Sequence, residues 1–271
     1  MAPVSSWPSV LRPGWLRPFR TIPDFLEPAD LERLREELLA SSYLAETTLN
    51  ERFAGTYGFT VVFKAAGLER LRQHFPALAP YLARVLHPRC NAFYLNPLVI
   101  RRGARVAPHI DQSLRSWVSP LEPGFPVKVS VLYLQVPPGL QGGDLVLYRG
   151  GDQPLPPIHP RPNLLAEFRG TVRHEVTEVT GEELPPRVSL VCEQYRLRRE
   201  VLDEVPDFAV KSKRPFADFL KDVLAPPPPS EPSGEEGPEV EPSGEEGREV
   251  EPSGEEGRGV EPVEGDEPGP R

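Results

Sequence analysis

The sequence contains little of several residue types, and each shortage excludes a class of protein. Its two cysteines, Cys90 and Cys192, provide neither the disulfide framework of a small secreted domain nor the spacing of a zinc site. No stretch approaches the roughly 18 apolar residues of a membrane-spanning helix. The proline-rich N-terminus also lacks the apolar segment of a secretory signal. We therefore expect a reducing, cytoplasmic location, and neither a membrane nor a nucleic acid as a partner.

The C-terminal part differs in composition from the rest. Residues 226–271 contain 15 acidic residues and 3 arginines, a net charge of −12 within a chain of −9, so residues 1–225 carry +3. Of these 46 residues 20 are Pro or Gly, and a ten-residue repeat occupies 240–259. Such a segment buries too little apolar surface to offset its ordering entropy. We predict a disordered acidic tail at 226–271, a flexible N-terminus at 1–20 and one domain at 21–225.

Within this domain a helical pattern changes to a strand pattern after Pro88. Helices are predicted over 27–40, with Pro28 near the start, and over 67–86, with a break near Pro76 and Pro80. Short apolar, β-branched segments separated by turn signals follow. These segments are 90–95, 106–111, 128–136, 144–148, 163–168, 172–179 and 187–197. Strands without intervening helices favour an antiparallel sandwich or barrel, and one more helix is predicted over 209–224.

Two histidines and one aspartate form a candidate metal site. His109 and Asp111 are two residues apart in a predicted strand, so both side chains face the same side. His174 begins another predicted strand 63 residues after Asp111. Two imidazoles and one carboxylate on one face of a metal ion leave coordination positions open for a bidentate co-substrate and O2. A structural zinc site would instead close its shell with four ligands.

The order of these motifs along residues 21–197 resembles that of the 2-oxoglutarate/Fe(II) dioxygenases, in particular the prolyl-4-hydroxylase-like branch. An HxD motif, a distal histidine and an arginine on the next strand occur in the same succession. The matching segments are TIPDFLEPADLERLREEL at 21–38, GARVAPHID at 103–111, GGDLVLY at 142–148, RHEV at 173–176 and RVSL at 187–190.

The resemblance implies a mainly β fold, with a double-stranded β-helix (jelly-roll) core at about 90–200 and the N-terminal helices packed outside it. It implies a hydroxylase that uses Fe(II), O2 and 2-oxoglutarate, with ascorbate as a candidate reductant, and that releases succinate and CO2. His109, Asp111 and His174 would be the metal ligands and the catalytic centre. The expected substrate is a peptide residue or a small molecule.

The resemblance also implies a binding site for 2-oxoglutarate. Arg187 would pair with the far carboxylate, and Ser189, on the same face of the strand, would donate a hydrogen bond to it. The family often places a tyrosine at the position that Ile100 occupies in this sequence. Tyr94 or Asn91, on the neighbouring strand, is expected to take the place of that tyrosine.

Two other classes of protein fit parts of the pattern. A cupin-like metalloenzyme that uses no oxo-acid would share the barrel, but it has no need of the anion site that Arg187 and Ser189 would form. A non-catalytic binding module with an acidic recruitment tail would share the barrel and the tail. The complete set of metal ligands argues against this module, since a degenerate copy usually loses a ligand.

Overall fold

The computed structural model describes residues 19–46, 53, 55–118, 120–150, 152–182 and 185–213. These residues contain four α-helices: α1 Pro28–Leu39, α2 Leu68–His74, α3 Ala79–Val85 and α4 Arg199–Glu204. They also contain thirteen β-strands: β1 Phe19–Ile22, β2 Ala45–Glu46, β3 Thr56–Gly58, β4 Thr60–Lys64, β5 Ala92–Ile100, β6 Val106–His109, β7 Lys128–Gln135, β8 Leu145–Arg149, β9 Gln153–Pro154, β10 Leu165–Phe168, β11 His174–Val176, β12 Arg187–Tyr195 and β13 Phe208–Lys211.

The strands form two antiparallel sheets. The larger has the order β1-β10-β7-β12-β5-β3-β2, with β4 also paired to β5 and β13 paired to β4. The smaller has the order β6-β11-β8-β9. From β5 to β12 the chain passes repeatedly between the sheets, and β12, the last of these strands, pairs with β5, the first. This order is that of an eight-stranded jelly roll, so the predicted fold class is confirmed.

Strand β12 lies at the centre of the larger sheet and has two buried faces. It pairs with β5 over nine consecutive positions, from Arg187 opposite Ile100 to Tyr195 opposite Ala92. Because side chains alternate along a strand, Leu190 and Cys192 face the hydrophobic cluster beneath the helices. The alternate residues Arg187, Ser189, Val191 and Glu193 face the inside of the jelly roll. One face of β12 therefore packs against the hydrophobic cluster, and the other face lines the inside of the jelly roll.

The helices cover the outer face of the larger sheet, as predicted. Leu34 and Leu38 of α1 and Leu82 of α3 pack in one cluster with Leu190 and Cys192 of β12. The predicted break in the second helical region is present, since α2 ends at His74 and α3 begins at Ala79. Proline at residue 76 cannot donate the backbone hydrogen bond that a continuous helix requires. No helix in the described part of the chain is long and apolar enough to cross a membrane.

The structure differs from the sequence-based expectations at both ends of the domain. Phe19 and Arg20, which were assigned to a flexible N-terminus, belong to β1 and pair with β10. The helix predicted over 209–224 is wrong at its beginning, because 208–211 form β13 and pair with β4. Pairing with a strand edge thus decides the conformation of this short segment over its local helical pattern. The rest of that helix and the predicted tail at 226–271 lie outside the described residues.

Candidate active site

The three candidate metal ligands meet at one end of the smaller sheet. His109 ends β6, Asp111 follows two residues later, and His174 begins β11 directly opposite His109. The His109 Nε2 atom lies 3.1 Å from Asp111 Oδ1, and the His174 Nε2 atom lies 3.4 Å from Asp111 Oδ2. The three side chains are 7 to 8% exposed. Antiparallel pairing therefore joins two ligand positions that are far apart in the sequence.

Backbone carbonyls determine which imidazole nitrogen of each histidine faces the cluster. The Nδ1 atoms of His109 and His174 lie 2.8 and 3.0 Å from the carbonyl oxygens of Ala107 and Val172. Donation of Nδ1–H to these carbonyls leaves the Nε2 lone pairs directed at Asp111. Burial lowers the pKa of His174, which favours this neutral form. With both Nε2 atoms unprotonated, each of the three residues offers one ligand atom to the same space, so the residues could hold a metal ion.

The carboxyl group of Asp111 is ionised in these surroundings. Burial raises its pKa, but attraction to a proton shared with the neighbouring imidazoles, His174 first, outweighs burial and holds the pKa below its ordinary value. A metal ion held between neutral imidazoles would supply the same positive charge. Its Oδ2 atom accepts no hydrogen bond from the described residues. A buried, ionised oxygen that accepts no hydrogen bond is explained if it is a ligand atom for a metal ion.

An elongated cavity of about 610 Å³ runs past these ligands along β12. Alternate residues of β12 line it from one end to the other: Arg187, Ser189, Val191 and Glu193. Apolar side chains from the other strands form much of its wall, and these are Leu98, Val106, Val131, Leu145 and Val176. The apolar wall excludes water and strengthens electrostatic interactions inside the cavity.

Arg187 is at the inner end of this cavity and is 1% exposed. Its Nε and Nη1 atoms, the Ser189 hydroxyl and the Tyr133 hydroxyl have no hydrogen-bond partner among the described residues. The guanidinium carbon lies 4.8 Å from the centre of the Tyr133 ring. A buried arginine without a counter-ion is strongly unfavourable. The cluster of unpaired donors therefore fits the carboxylate of a small organic acid, which accepts two parallel hydrogen bonds from a guanidinium.

The glycine pair before β8 makes room for this arginine. Gly143 has a φ of +69°, and a Cβ atom there would lie 3.2 Å from the Cδ atom of Arg187. A side chain at this position would be strained by the backbone conformation and crowded by the arginine. The Gly142-Gly143 motif thus allows the inner end of the cavity to contain a large cation.

The outer end of the cavity contains a second buried carboxylate, Glu193. It accepts hydrogen bonds from the backbone N–H of Ser113 at 3.1 Å and from the hydroxyls of Ser113 and Tyr195. Tyr94 lies opposite Glu193 in the strand register and also lines the cavity. Burial, and secondly the charge of Asp111, raises the pKa of Glu193 to about 8. Sequence reasoning did not identify Glu193 as a site residue.

Not all of the residues that were expected to hold 2-oxoglutarate line the cavity. Ser189 and Tyr94 line the cavity, but Asn91 does not. The Asn91 side chain donates to the Leu197 carbonyl at 2.9 Å and accepts from the Leu197 N–H at 2.8 Å. Its expected role in binding 2-oxoglutarate is therefore wrong, because both of its polar atoms hold the chain after β12.

Tyr133 is a second site residue that the sequence analysis missed. It lies on β7 opposite Ser189, with its ring over the Arg187 guanidinium. Its place in the alternating segment KVSVLYLQ was a usable signal, since Tyr133 shares a face with Val129 and Val131. That signal was insufficient because the sequence alone does not show which face of β7 is turned inward. Ile100, opposite Arg187, packs in an apolar cluster instead.

Comparisons with known proteins give similarity to solved structures only. No protein-family model matches the sequence, and no curated protein matches it. A Pseudomonas putida prolyl-4-hydroxylase shares 21% identity over 68% of this chain and 95% of its own, with a TM-score of 0.46. A 2OG-Fe(II) oxygenase family oxidoreductase from Burkholderia pseudomallei shares 14% identity over 66% of this chain and 85% of its own, with a TM-score of 0.43.

A third structure is a Trichoplax adhaerens prolyl hydroxylase in complex with a hypoxia inducible factor peptide fragment. It shares 16% identity over 66% of this chain and 84% of its own, with a TM-score of 0.42. Identities and TM-scores this low carry no argument about this chain, so the functional assignment depends on the geometry of the site.

Proposed function

We propose that this protein is a 2-oxoglutarate-dependent Fe(II) oxygenase that hydroxylates a C–H bond of its substrate. One observation carries the proposal. One cavity contains both a cluster of two imidazoles and a carboxylate and, further in, a buried arginine that has no counter-ion among the described residues. The cluster suits a divalent metal that keeps coordination positions open. The arginine suits a dicarboxylate co-substrate and would have no purpose in a metalloenzyme that uses no oxo-acid.

The metal would be held by the Nε2 atoms of His109 and His174 and by the Asp111 carboxylate. Ferrous iron held by these residues would supply the activation of O2 that couples oxidation of 2-oxoglutarate to oxidation of the substrate. One oxygen atom enters the substrate as a hydroxyl group and the other enters succinate, with loss of CO2. The carbonyls of Ala107 and Val172 hold the imidazoles in the tautomer that binds metal.

The far carboxylate of 2-oxoglutarate would be bound at the inner end of the cavity. Arg187 would donate two parallel hydrogen bonds from Nε and a terminal nitrogen, and the hydroxyls of Ser189 and Tyr133 would complete the anion site. The apolar wall keeps water away from the reacting groups. The outer end, with Tyr94, would receive the substrate, which we propose to be a peptide side chain or a small molecule. Ascorbate would serve as reductant.

The direct test measures succinate release from 2-oxoglutarate when anaerobically iron-loaded protein is given O2. We expect slow succinate formation even without substrate, because the proposed residues for binding the metal and the co-substrate are all in this chain. Asp111→Ala should reduce the rate at least ~100-fold, as expected for loss of a metal ligand. Glu178→Gln, which changes an exposed carboxylate, should leave the rate unchanged. Binding of iron and 2-oxoglutarate without any succinate formation would contradict the proposal.

A further inference from the structure

The outer carboxylate, Glu193, has no part in binding the metal or 2-oxoglutarate. Its side chain is 1% exposed and lines the end of the cavity opposite to Arg187. Six steps of extended chain separate the two residues, which corresponds to about 20 Å. Its hydrogen-bond donors come from Ser113 and Tyr195 and are all neutral. None of the described residues forms an ion pair with Glu193.

The charges in the cavity do not cancel when the metal and co-substrate are included. Arg187 offsets one of the two buried carboxylates, Asp111 and Glu193. A divalent metal ion and the dianion of 2-oxoglutarate offset each other, so one negative charge is left. Arg115 lies at the rim, but it is 63% exposed and its guanidinium lies 2.8 Å from the Glu122 carboxylate. A buried, uncompensated charge is strongly unfavourable, and the pKa of Glu193 is accordingly raised to about 8, so that this carboxyl keeps a proton at neutral pH unless a cation lies beside it. The three donors from Ser113 and Tyr195 already hold the carboxylate form, so a cationic group that enters this end can replace the proton.

We propose that the Glu193 end of the cavity binds a cationic group of the substrate, an alkylammonium or guanidinium group next to the C–H bond that is hydroxylated. The inference rests on the proposed function, because it concerns the part of the same cavity that the metal and 2-oxoglutarate leave open. Glu193 supplies the negative charge. Tyr94, opposite Glu193 and also buried in the wall, supplies an aromatic ring of the kind that attracts organic cations. Val131 and Val191 offer contacts for an aliphatic stem.

Binding of simple probes tests the inference without any need to know the substrate. The full-length protein is loaded with Mn²⁺ and 2-oxoglutarate, and calorimetry measures the affinity for n-butylammonium and for its neutral counterpart 1-butanol. We expect n-butylammonium to bind at least ~10-fold more tightly, as for a hydrogen-bonded charged pair. Glu193→Gln keeps the shape of the side chain and removes its charge, so the preference should fall to about twofold or less. Glu178→Gln, an exposed change of the same formal charge, should retain the full preference.

The outcomes separate the inference from the proposed function. Equal affinity of the wild-type protein for the two probes would overturn the inference, whether or not Glu193→Gln folds. A preference that persists in Glu193→Gln would overturn it as well. Failure of the wild-type protein to bind 2-oxoglutarate would instead count against the proposed function. A glycine-flanked lysine peptide and cadaverine then show whether the cation is peptide-borne or free, and saturable binding of either supports the inference.

Discussion

The two ends of the cavity are opposite in charge and in the state of their hydrogen bonds. At the inner end, Arg187, Ser189 and Tyr133 have donor atoms without acceptors among the described residues. At the outer end, the Glu193 carboxyl group is already held by donors from Ser113 and Tyr195. The inner end therefore needs a ligand to satisfy its hydrogen bonds, whereas the hydrogen bonds of the outer end are satisfied without one. Under the two proposals above, the anion site would be geometrically demanding and the cation site more tolerant.

The ends also differ in the elements that build them. The inner end is formed by β7 and β12, whose register places Tyr133 opposite Ser189. The outer end includes Ser113, which lies in a short turn after Asp111. Regular strands hold side chains more accurately than connecting segments do. We expect changes at the inner end to alter affinity for one ligand, and changes at the outer end to alter the choice among substrates.

The largest effect is expected from removal of a proposed metal ligand, because the metal would contact both the co-substrate at the inner end and the substrate at the outer end. At a concentration 100 times its dissociation constant, Mn²⁺ should stabilise the wild-type protein by about 2.7 kcal/mol, which corresponds to a rise in Tm of roughly 5–10 °C. His109→Ala should abolish this rise, because Asp111 and His174 alone bind the ion weakly. His159→Ala alters an exposed histidine and should keep the rise. Equal shifts in the two variants, measured by calorimetry, would exclude the proposed metal site.

Replacement of Arg187 should affect the inner end alone. Arg187→Lys retains the charge but loses the planar pair of donors, so the dissociation constant for 2-oxoglutarate should increase about 10- to 100-fold. The Mn²⁺-induced rise in Tm should be unchanged. Titration of 2-oxoglutarate into Mn²⁺-loaded protein measures the affinity, and thermal unfolding with and without Mn²⁺ measures the rise in Tm. An unaltered affinity would mean that the anion is bound elsewhere, and the same substitution at the partly exposed Arg173 provides the reference.

A smaller effect is expected from the hydroxyl of Tyr133. Tyr133→Phe should weaken 2-oxoglutarate binding about fivefold, since one neutral hydrogen bond contributes about 1 kcal/mol. Asn91→Ala should leave that affinity unchanged and lower the free energy of unfolding by about 1–2 kcal/mol, because it breaks the two bonds to Leu197. The pair of variants distinguishes a ligand-binding residue from a structural one. If Asn91→Ala instead weakened 2-oxoglutarate binding and left the free energy of unfolding unchanged, Asn91 would be a ligand-binding residue.

The smallest effect is expected from deletion of residues 226–271. We propose that this acidic segment does not contribute to either end of the cavity, because its composition prevents it from burying a core. The truncated protein should bind 2-oxoglutarate and n-butylammonium with affinities within about twofold of the wild type, and its Tm should differ by about 1 °C or less. A weaker preference for n-butylammonium after truncation would show that the tail charge acts at the outer end.

Much of the fold followed from local pattern. The alternating segments that become β5, β6, β7, β8, β10, β11 and β12 were all recognised, as was α1 with Pro28 in its first turn. These elements were predictable because each has a hydrophobic period that matches its own geometry. The strands β1, β2, β3, β4, β9 and β13 were missed. Each is short and lies towards the side of its sheet, where pairing with a neighbour decides the conformation more than the strand's own residues do.

The site divides in the same way. The metal ligands were predictable from sequence because His109 and Asp111 are two residues apart in a strand, and because His174 and Arg187 follow in a familiar order. Tyr133, Glu193 and the structural role of Asn91 were not predictable, because each depends on which face of a strand is turned inward and on what lies opposite in the register. Sequence alone determines the alternation of side chains along a strand. Which face of each strand lines the cavity is decided only when the two sheets pack against each other, because the free energy of burying apolar surface depends on the whole packed structure.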